Sequence, residues 1–548
     1  MPRWVARIER PDGGILGGGV LLAPDVVLTA AHLVEPGREY VVRFVVTPDA
    51  PGVRATVGAH EYRPHREDTF GDSGDVALLR LATPRPAADT TRLCRRAPRE
   101  MPVLMYGFPE GADGGLWHGA VVVGVQGGDN RVQLRPQNGE LVVPGFSGGG
   151  VIDAETDRVI GIVLSVDEGS GSRFSYMSPT DTILGHLRVV ERWADGERGH
   201  EHRHATHPGT LDEPFATELA AWYRGEGWPV LVTAVQARGD RAWTLERATV
   251  LADRELRTRY STDAFAQGPS ETVPPVGGHD LVLHVRGMTV GQVLDRVAAR
   301  LGLRNDALQP LPEQLGALHV PLTAVLIGVD QAAEPEALVG TLGRLAQRGA
   351  RLLLVFRRRG DLCKQTAETL VDRPLKDRWS QLRGEIVRTV DELGLALVER
   401  RDRVTPGPAP DTARLLDKAD TAVRRTRLLR EWVDHMSDEE KGPGRADLLF
   451  TYEDAVERRR ERLEQAIGVL DVRIRRREEL LGRVKAAWPL CEARTRADGD
   501  RAGEAYRRYE GAASLLRHSP CDLEEAEAAA RRFITFCSGM ASGTEDAS

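Results

Sequence analysis

The sequence predicts a multidomain protein with three kinds of structure in succession: an all-β region, an α/β region with a mostly parallel sheet, and an α-helical region. Three observations predict it. Residues 1 to about 190 carry short apolar runs separated by Gly, Pro and Asp turn signals, with little helical periodicity. From Leu211 to about 400, apolar runs suited to buried strands alternate with amphipathic helical stretches. Beyond the proline-rich break at 405–410, apolar residues recur at spacings of three and four. For 548 residues, three or four domains are expected. The boundaries fall at 1–190, a His-rich linker at 191–212, 213–400, 405–537, and a tail at 538–548 that reads as disordered.

Composition narrows the function classes. Lys plus Arg total 74 against 81 Asp plus Glu, a net charge of -7, which argues against a protein held to nucleic acid by bulk phosphate neutralisation. With 41% apolar and 28% charged residues, the chain has an ordinary globular composition. No apolar run approaches the ~20 residues of a membrane span, and Trp4 to Ile8 already reads as a strand, without a secretory leader. Cys94, Cys363, Cys491, Cys521 and Cys537 are scattered, with no CxxC pair. A reduced, cytoplasmic chain without a metal site is expected. Lysine occurs only at 364, 376, 418, 441 and 485, so none precedes Lys364.

In the first region the runs at 19–22, 26–29, 40–44 and 76–81 read as strands of a sandwich or a barrel, and length does not separate the two. Three segments carry chemistry. Thr29-Ala30-Ala31-His32 ends an apolar strand on a histidine, Gly74-Asp75 places an aspartate before a buried strand, and Gly145-Phe146-Ser147-Gly148-Gly149 surrounds a serine with glycines. Acyl chemistry needs a hydroxyl, a base to deprotonate it and an acid to orient the base. It also needs backbone N–H groups converging on the oxyanion, which glycines let the chain present. A lone histidine is usually structural. The three segments in the order His, Asp, Ser are far more specific than any one of them.

Residues 1 to about 190 therefore resemble the trypsin-like, chymotrypsin-fold serine peptidases, especially the bacterial intracellular and HtrA-like branch. The resemblance implies a double β-barrel with His32 as general base, Asp75 as its orienting acid and Ser147 as nucleophile. It implies an oxyanion hole from the N–H groups of Gly145 and Ser147, and a strand at 159–165 that aligns the substrate by strand addition. Two departures matter. Secreted members carry an aspartate before the nucleophile, paired with a newly cut N-terminal amine. Phe146 stands there, so another interaction must order the oxyanion loop. Leu141 occupies the position that sets primary specificity, which implies an uncharged, apolar preference.

The linker holds His200, His202, His204 and His207. Without accompanying carboxylates or cysteines they read as a solvated stretch rather than a metal site. The middle region predicts helices at 215–223, 290–303 and 335–347, and strands at 230–233, 280–285, 324–329 and 351–356. Its order resembles the signal-transduction (STAND) class of P-loop NTPases, but the chemistry is missing. A phosphate-binding loop needs several glycines and a lysine, whereas the turn after Val232-Thr233 keeps only Gly239 and places Asp240 at the lysine position. In the second motif Ile327 and Gln331 replace the acids, leaving Asp330. A non-hydrolysing domain with no nucleotide-binding residues and no cofactor is expected.

In the last region the spacing at 419–436 and 452–488 predicts an antiparallel hairpin of helices turned by Gly442-Pro443-Gly444, with Arg460 and Arg477 interrupting a coiled-coil seam. A further helix at 521–537 is expected to be capped by Ser519. Arginine runs at 459–460 and 475–477 alternate with glutamates, a solvated salt-bridged face rather than a nucleic-acid surface. The leading expectation is a cytoplasmic serine endopeptidase acting on protein or peptide substrates and gated by its fused domains. A regulatory partner or self-association would act through the helical region. Analogy with fused relatives adds a role in bacterial stress or antiphage defence. Two other readings stay open: a pseudoprotease scaffold, and a nucleotide-switched protease.

Overall fold

The computed structural model describes residues 2–65, 74–125, 131–137, 144–166, 175–200, 209–260, 268–303, 321–405, 407 and 410–542. The chain divides into two compact units, 1–372 and 373–548.

The first six strands are β1 (Val5–Glu9), β2 (Ile15–Ala23), β3 (Val26–Thr29), β4 (Glu39–Phe44), β5 (Val53–Arg63) and β6 (Val76–Leu81). They close into a barrel in the order β1-β2-β3-β6-β5-β4. Alternation builds it: along β4, Tyr40, Val42 and Phe44 point into the core while Glu39, Val41 and Arg43 lie further out. β7 (Leu93–Cys94) follows, then β8 (Pro102–Gly107), β9 (Leu116–Val125), β10 (Val132–Pro136), β11 (Gly150–Asp153), β12 (Val159–Val166) and β13 (Ser175–Pro179). Their order β11-β8-β9-β10-β13-β12 closes into a second ring through β11–β12 pairing, with β7 and β14 (Ala194–Asp195) added beside β12. The sandwich alternative is thus resolved as two barrels. Val20, Leu28, Leu78, Ile152 and Ile162 form a shared buried cluster between them.

α1 (Thr180–His186) leads out of the second barrel. Segment 191–200, expected as solvated linker, is instead ordered. Gly199 accepts a hydrogen bond from the Val282 N–H at 2.7 Å, and His200 is buried in a parallel bridge with Val282. The reason is an edge strand whose open backbone groups need partners. His202, His204 and His207 lie outside the described residues.

Then come α2 (Glu213–Tyr223), β15 (Val230–Ala234), α3 (Asp240–Ala252), α4 (Arg254–Tyr260), β16 (Leu281–His284), α5 (Val290–Leu301), β17 (Thr323–Ile327), α6 (Pro335–Gln347), β18 (Arg351–Phe356) and α7 (Asp361–Ala367). The four strands form a parallel sheet ordered β15-β18-β17-β16.

A charged interface joins the barrels to this sheet domain. The Arg300 guanidinium on α5 donates to the Asp181 carboxylate on α1, to the Asp280 carbonyl at 2.6 Å, to the Arg95 carbonyl at 2.9 Å and to the Glu197 carbonyl at 3.2 Å. Arg95 in turn reaches Glu255 at 2.6 Å, and Arg99 reaches Asp280 at 2.6 Å. Arg95, Asp181 and Arg300 are almost wholly buried, so each charge depends on its partners.

The second unit is helical: Arg373–Val387, Gly394–Arg403, Pro410–His435, Ala446–Thr495, Gly499–Arg517 and Leu523–Ser542. Its start lies earlier than the expected boundary near 405 because Leu397 and Val404 bury with Leu463, Leu470 and Phe533 in the bundle core. The last helix begins later than expected. Asp522, not Ser519, accepts the first-turn N–H of Glu525 at 3.1 Å. The helix also runs into the expected tail as far as Ser542; 543–548 lie outside the described residues. Helix 499–517, capped by Asp498, has no counterpart in the sequence expectations. All five cysteines are free and buried, and no helix among the described residues is long and apolar enough to cross a membrane.

Candidate active site

Register brings the histidine and the aspartate together. β3 pairs antiparallel with β6 with Thr29 opposite Ala77, so the turn Ala31–Leu33 following β3 comes beside Asp75, which precedes β6. The Asp75 backbone is left-handed, with φ 64°, a conformation aspartate tolerates better than most side chains. Its carboxylate is spent on one residue: Oδ1 accepts the His32 backbone N–H at 2.9 Å, and Oδ2 lies 2.9 Å from His32 Nδ1. Asp75 is buried while 41% of the His32 side chain is exposed. A carboxylate on Nδ1 favours the tautomer protonated there, in which Nε2 keeps its lone pair. Tyr62 lies nearby, and burial, then the Asp75 charge, push its phenol above its ordinary value, so it stays protonated.

Ser147 comes from the second barrel, on the turn into β11, and both barrels clamp it. Its carbonyl accepts the Gly18 N–H at 2.8 Å, and the Gly18 carbonyl accepts the Thr29 hydroxyl at 2.8 Å, three residues before His32. On the other side, Gly148 donates to the Val163 carbonyl at 2.7 Å. This path of hydrogen bonds ties the histidine turn to the serine turn. Gly148, at φ 76°, fits only without a side chain, since a Cβ would strike the Gly18 carbonyl and Thr29 Oγ1. Gly145, at φ 109°, is equally constrained by the Phe108 carbonyl. Among the described residues, no carbonyl accepts from the N–H groups of Gly145 or Ser147, and Ser147 Oγ makes no hydrogen bond.

Phe146 answers the question its sequence position raises. Its ring is 3% exposed, sits in the second-barrel core with Met105, Val151 and Ile160, and meets the His118 ring edge-on at 5.8 Å. Its carbonyl accepts the Gly149 N–H at 3.0 Å. Burial of an aromatic side chain thus fixes the turn where an ion pair was missing. Phe146→Ala is expected to destabilise the protein by about 3 to 5 kcal/mol, read by chemical denaturation, and to loosen the turn that carries Ser147. Leu141 lies outside the described residues. Sequence reasoning overlooked the Gly18–Thr29 link because its hydrogen bonds are mostly backbone, with no residue signature. Among the described residues no cluster of His, Cys, Asp and Glu has metal-binding geometry.

Residues 17–162 match the family model of the trypsin-like peptidase domain. With the double barrel, this makes the N-terminal region a serine endopeptidase domain. Three solved structures illustrate the similarity. The inactive form of Rv3671c from M. tuberculosis is 20% identical over 35% of this chain and 88% of its own, with a TM-score of 0.27. The HtrA-type protease AlgW with a decapeptide is 19% identical over 37% of this chain and 70% of its own, TM-score 0.27. Mouse neuropsin is 17% identical over 35% of this chain and 96% of its own, TM-score 0.28. Comparison with curated proteins gives no match.

Proposed function

We propose that the protein hydrolyses peptide bonds through Ser147, with His32 as general base, Asp75 orienting His32, and the N–H groups of Gly145 and Ser147 holding the oxyanion. The observation that carries this reading is the Asp75 carboxylate bonded to both the backbone and Nδ1 of His32, beside a serine turn clamped to the same barrel. The β11–β12 pairing stops at Ile162, so the end of β12 beyond Val163 is suited to receive an extended substrate as an added strand.

The fused domains gate this activity. Ser147 Oγ, unbonded, fits a site whose serine–histidine bond tightens when a substrate or reagent binds, and the fused domains tune the rate. The Arg300 cluster offers a physical route: it holds Asp181 in the first turn of α1, directly after strand β13 of the second barrel. The sheet domain acts as a non-hydrolysing module, because Asp330 is committed to the N–H groups of Arg357 and Arg358 at 2.8 and 3.2 Å, and Asp240 to the Thr210 N–H at 2.9 Å. Association through the helical unit is supported by Leu428 and Trp432, exposed one turn apart on helix Pro410–His435.

Arg300→Lys tests the gating. Lysine keeps the charge but lacks the planar fork that serves four acceptors. We expect kcat/KM toward a fluorogenic peptide to change by roughly 2- to 30-fold, although no triad residue is touched. An unchanged kcat/KM accompanied by a lower unfolding midpoint would reduce the cluster to a structural joint.

A further inference from the structure

A cavity of about 730 Å³ opens at the carboxyl ends of β15 and β18, far in sequence from the triad. Val232, Thr233 and Ala234 form one wall, and the turn after β18 together with α7 forms the other. Its charge is opposite to that of the chain. Arg241, Arg357, Arg358, Arg359 and Lys364 line it against only Glu218 and Asp372, in a protein of net charge -7. Some of these cations are already engaged. Arg241 stacks on the Phe215 ring at 4.1 Å and lies 3.7 Å from Asp212, and Arg358 lies 4.0 Å from Asp330. Arg357 Nη1 donates only to the carbonyls of Val235 and Gln236 at 3.3 and 3.4 Å. Arg359 and Lys364 have no carboxylate within ion-pair distance among the described residues. Lys364 is also the first lysine of the chain.

Clustered cations repel one another, and an excess that internal carboxylates leave unmatched is a site for an external anion. A single phosphate would neutralise about two of them, whereas a linked pair carries about three negative charges and spans several cations. Guanidinium groups suit phosphate oxygens by paired donation, and the ammonium adds a point charge. We propose that this cavity binds a small molecule carrying two or more linked phosphates, held by Arg357, Arg359 and Lys364. The site does not restore a phosphate-binding loop. The three cations that would hold the ligand follow β18 rather than β15, and Asp240, which accepts the Thr210 N–H at 2.9 Å, does not line the cavity. A cavity of this size exceeds a bare diphosphate and leaves room for an attached organic group.

The test is calorimetry on the full chain with pyrophosphate, ADP and orthophosphate, and needs no peptidase activity. We expect pyrophosphate or ADP to bind with Kd below about 1 mM, and orthophosphate more weakly. Arg359→Glu and Lys364→Glu, both at exposed positions, should fold normally and weaken binding by at least about tenfold. ADP tighter than pyrophosphate would support a nucleotide source; equal affinities would support an inorganic or other diphosphate. No binding of either at millimolar concentration, or binding unchanged in both variants, would overturn the proposal.

Discussion

Ser147→Ala is expected to lower turnover of a fluorescent protein substrate by about a millionfold, to the level that oxyanion binding alone sustains. Removal of one oxygen leaves no group in the turn that can form the acyl intermediate, and the His32–Asp75 pair then has no proton to take. The fold should survive, because Ser147 Oγ makes no hydrogen bond among the described residues; the turn is held by the Ser147 carbonyl, by Phe146 and by the Gly148 N–H. The variant should therefore unfold at the wild-type midpoint. Lost activity with lost stability would point to a structural role for the serine.

Asp75→Asn is expected to lower the same rate by about 10,000-fold. Asparagine accepts the left-handed backbone at φ 64° and keeps an oxygen for the His32 N–H, so the turn should hold. Its amide NH2, however, would face Nδ1 and favour the tautomer protonated at Nε2. In that tautomer Nε2 carries a proton and has no lone pair to accept the one from serine. A smaller loss, below about tenfold, would mean that Asp75 fixes only the turn. Comparison of the two variants separates the nucleophile from the group that orients its base.

Much of this was legible in the sequence because side-chain chemistry and strand period are local. The His32, Asp75 and Ser147 segments each carry their own signature, and alternation along runs such as 40–44 marks barrel strands. The parallel sheet was equally readable from continuous apolar runs such as 351–356. What escaped depends on contacts between distant segments. Phe146 could be seen as a missing aspartate, but not as an anchor, until His118 and Met105 were placed around it. His200 looked like linker because nothing local shows that the edge strand β16 needs a partner. Asp522 and Ser519 are both good capping residues, and only the start of the helix at Leu523 decides between them. The unit boundary escaped for a similar reason. The Pro-rich break at 405–410 is a conspicuous local signal, while the burial of Leu397 in the helical core is a tertiary one.

The cationic cavity illustrates the same limit from the other side. Arg357, Arg358 and Arg359 form a run in sequence, but Lys364, Arg241 and β15 join them only in the folded sheet. The absence of phosphate-loop glycines and of any early lysine argued against a nucleotide. Binding through the opposite side of the cavity is a separate question that only geometry raises. With the Arg300 cluster joining the same domain to the barrels, the sheet domain has both a candidate input and a mechanical connection to the peptidase.

Treating the full chain with a fluorophosphonate and mapping the adduct by mass spectrometry shows whether the serine-peptidase site is assembled. We expect a single adduct on Ser147, absent in Ser147→Ala and strongly reduced in His32→Ala. No adduct on Ser147, or labelling that persists unchanged without His32, would contradict it.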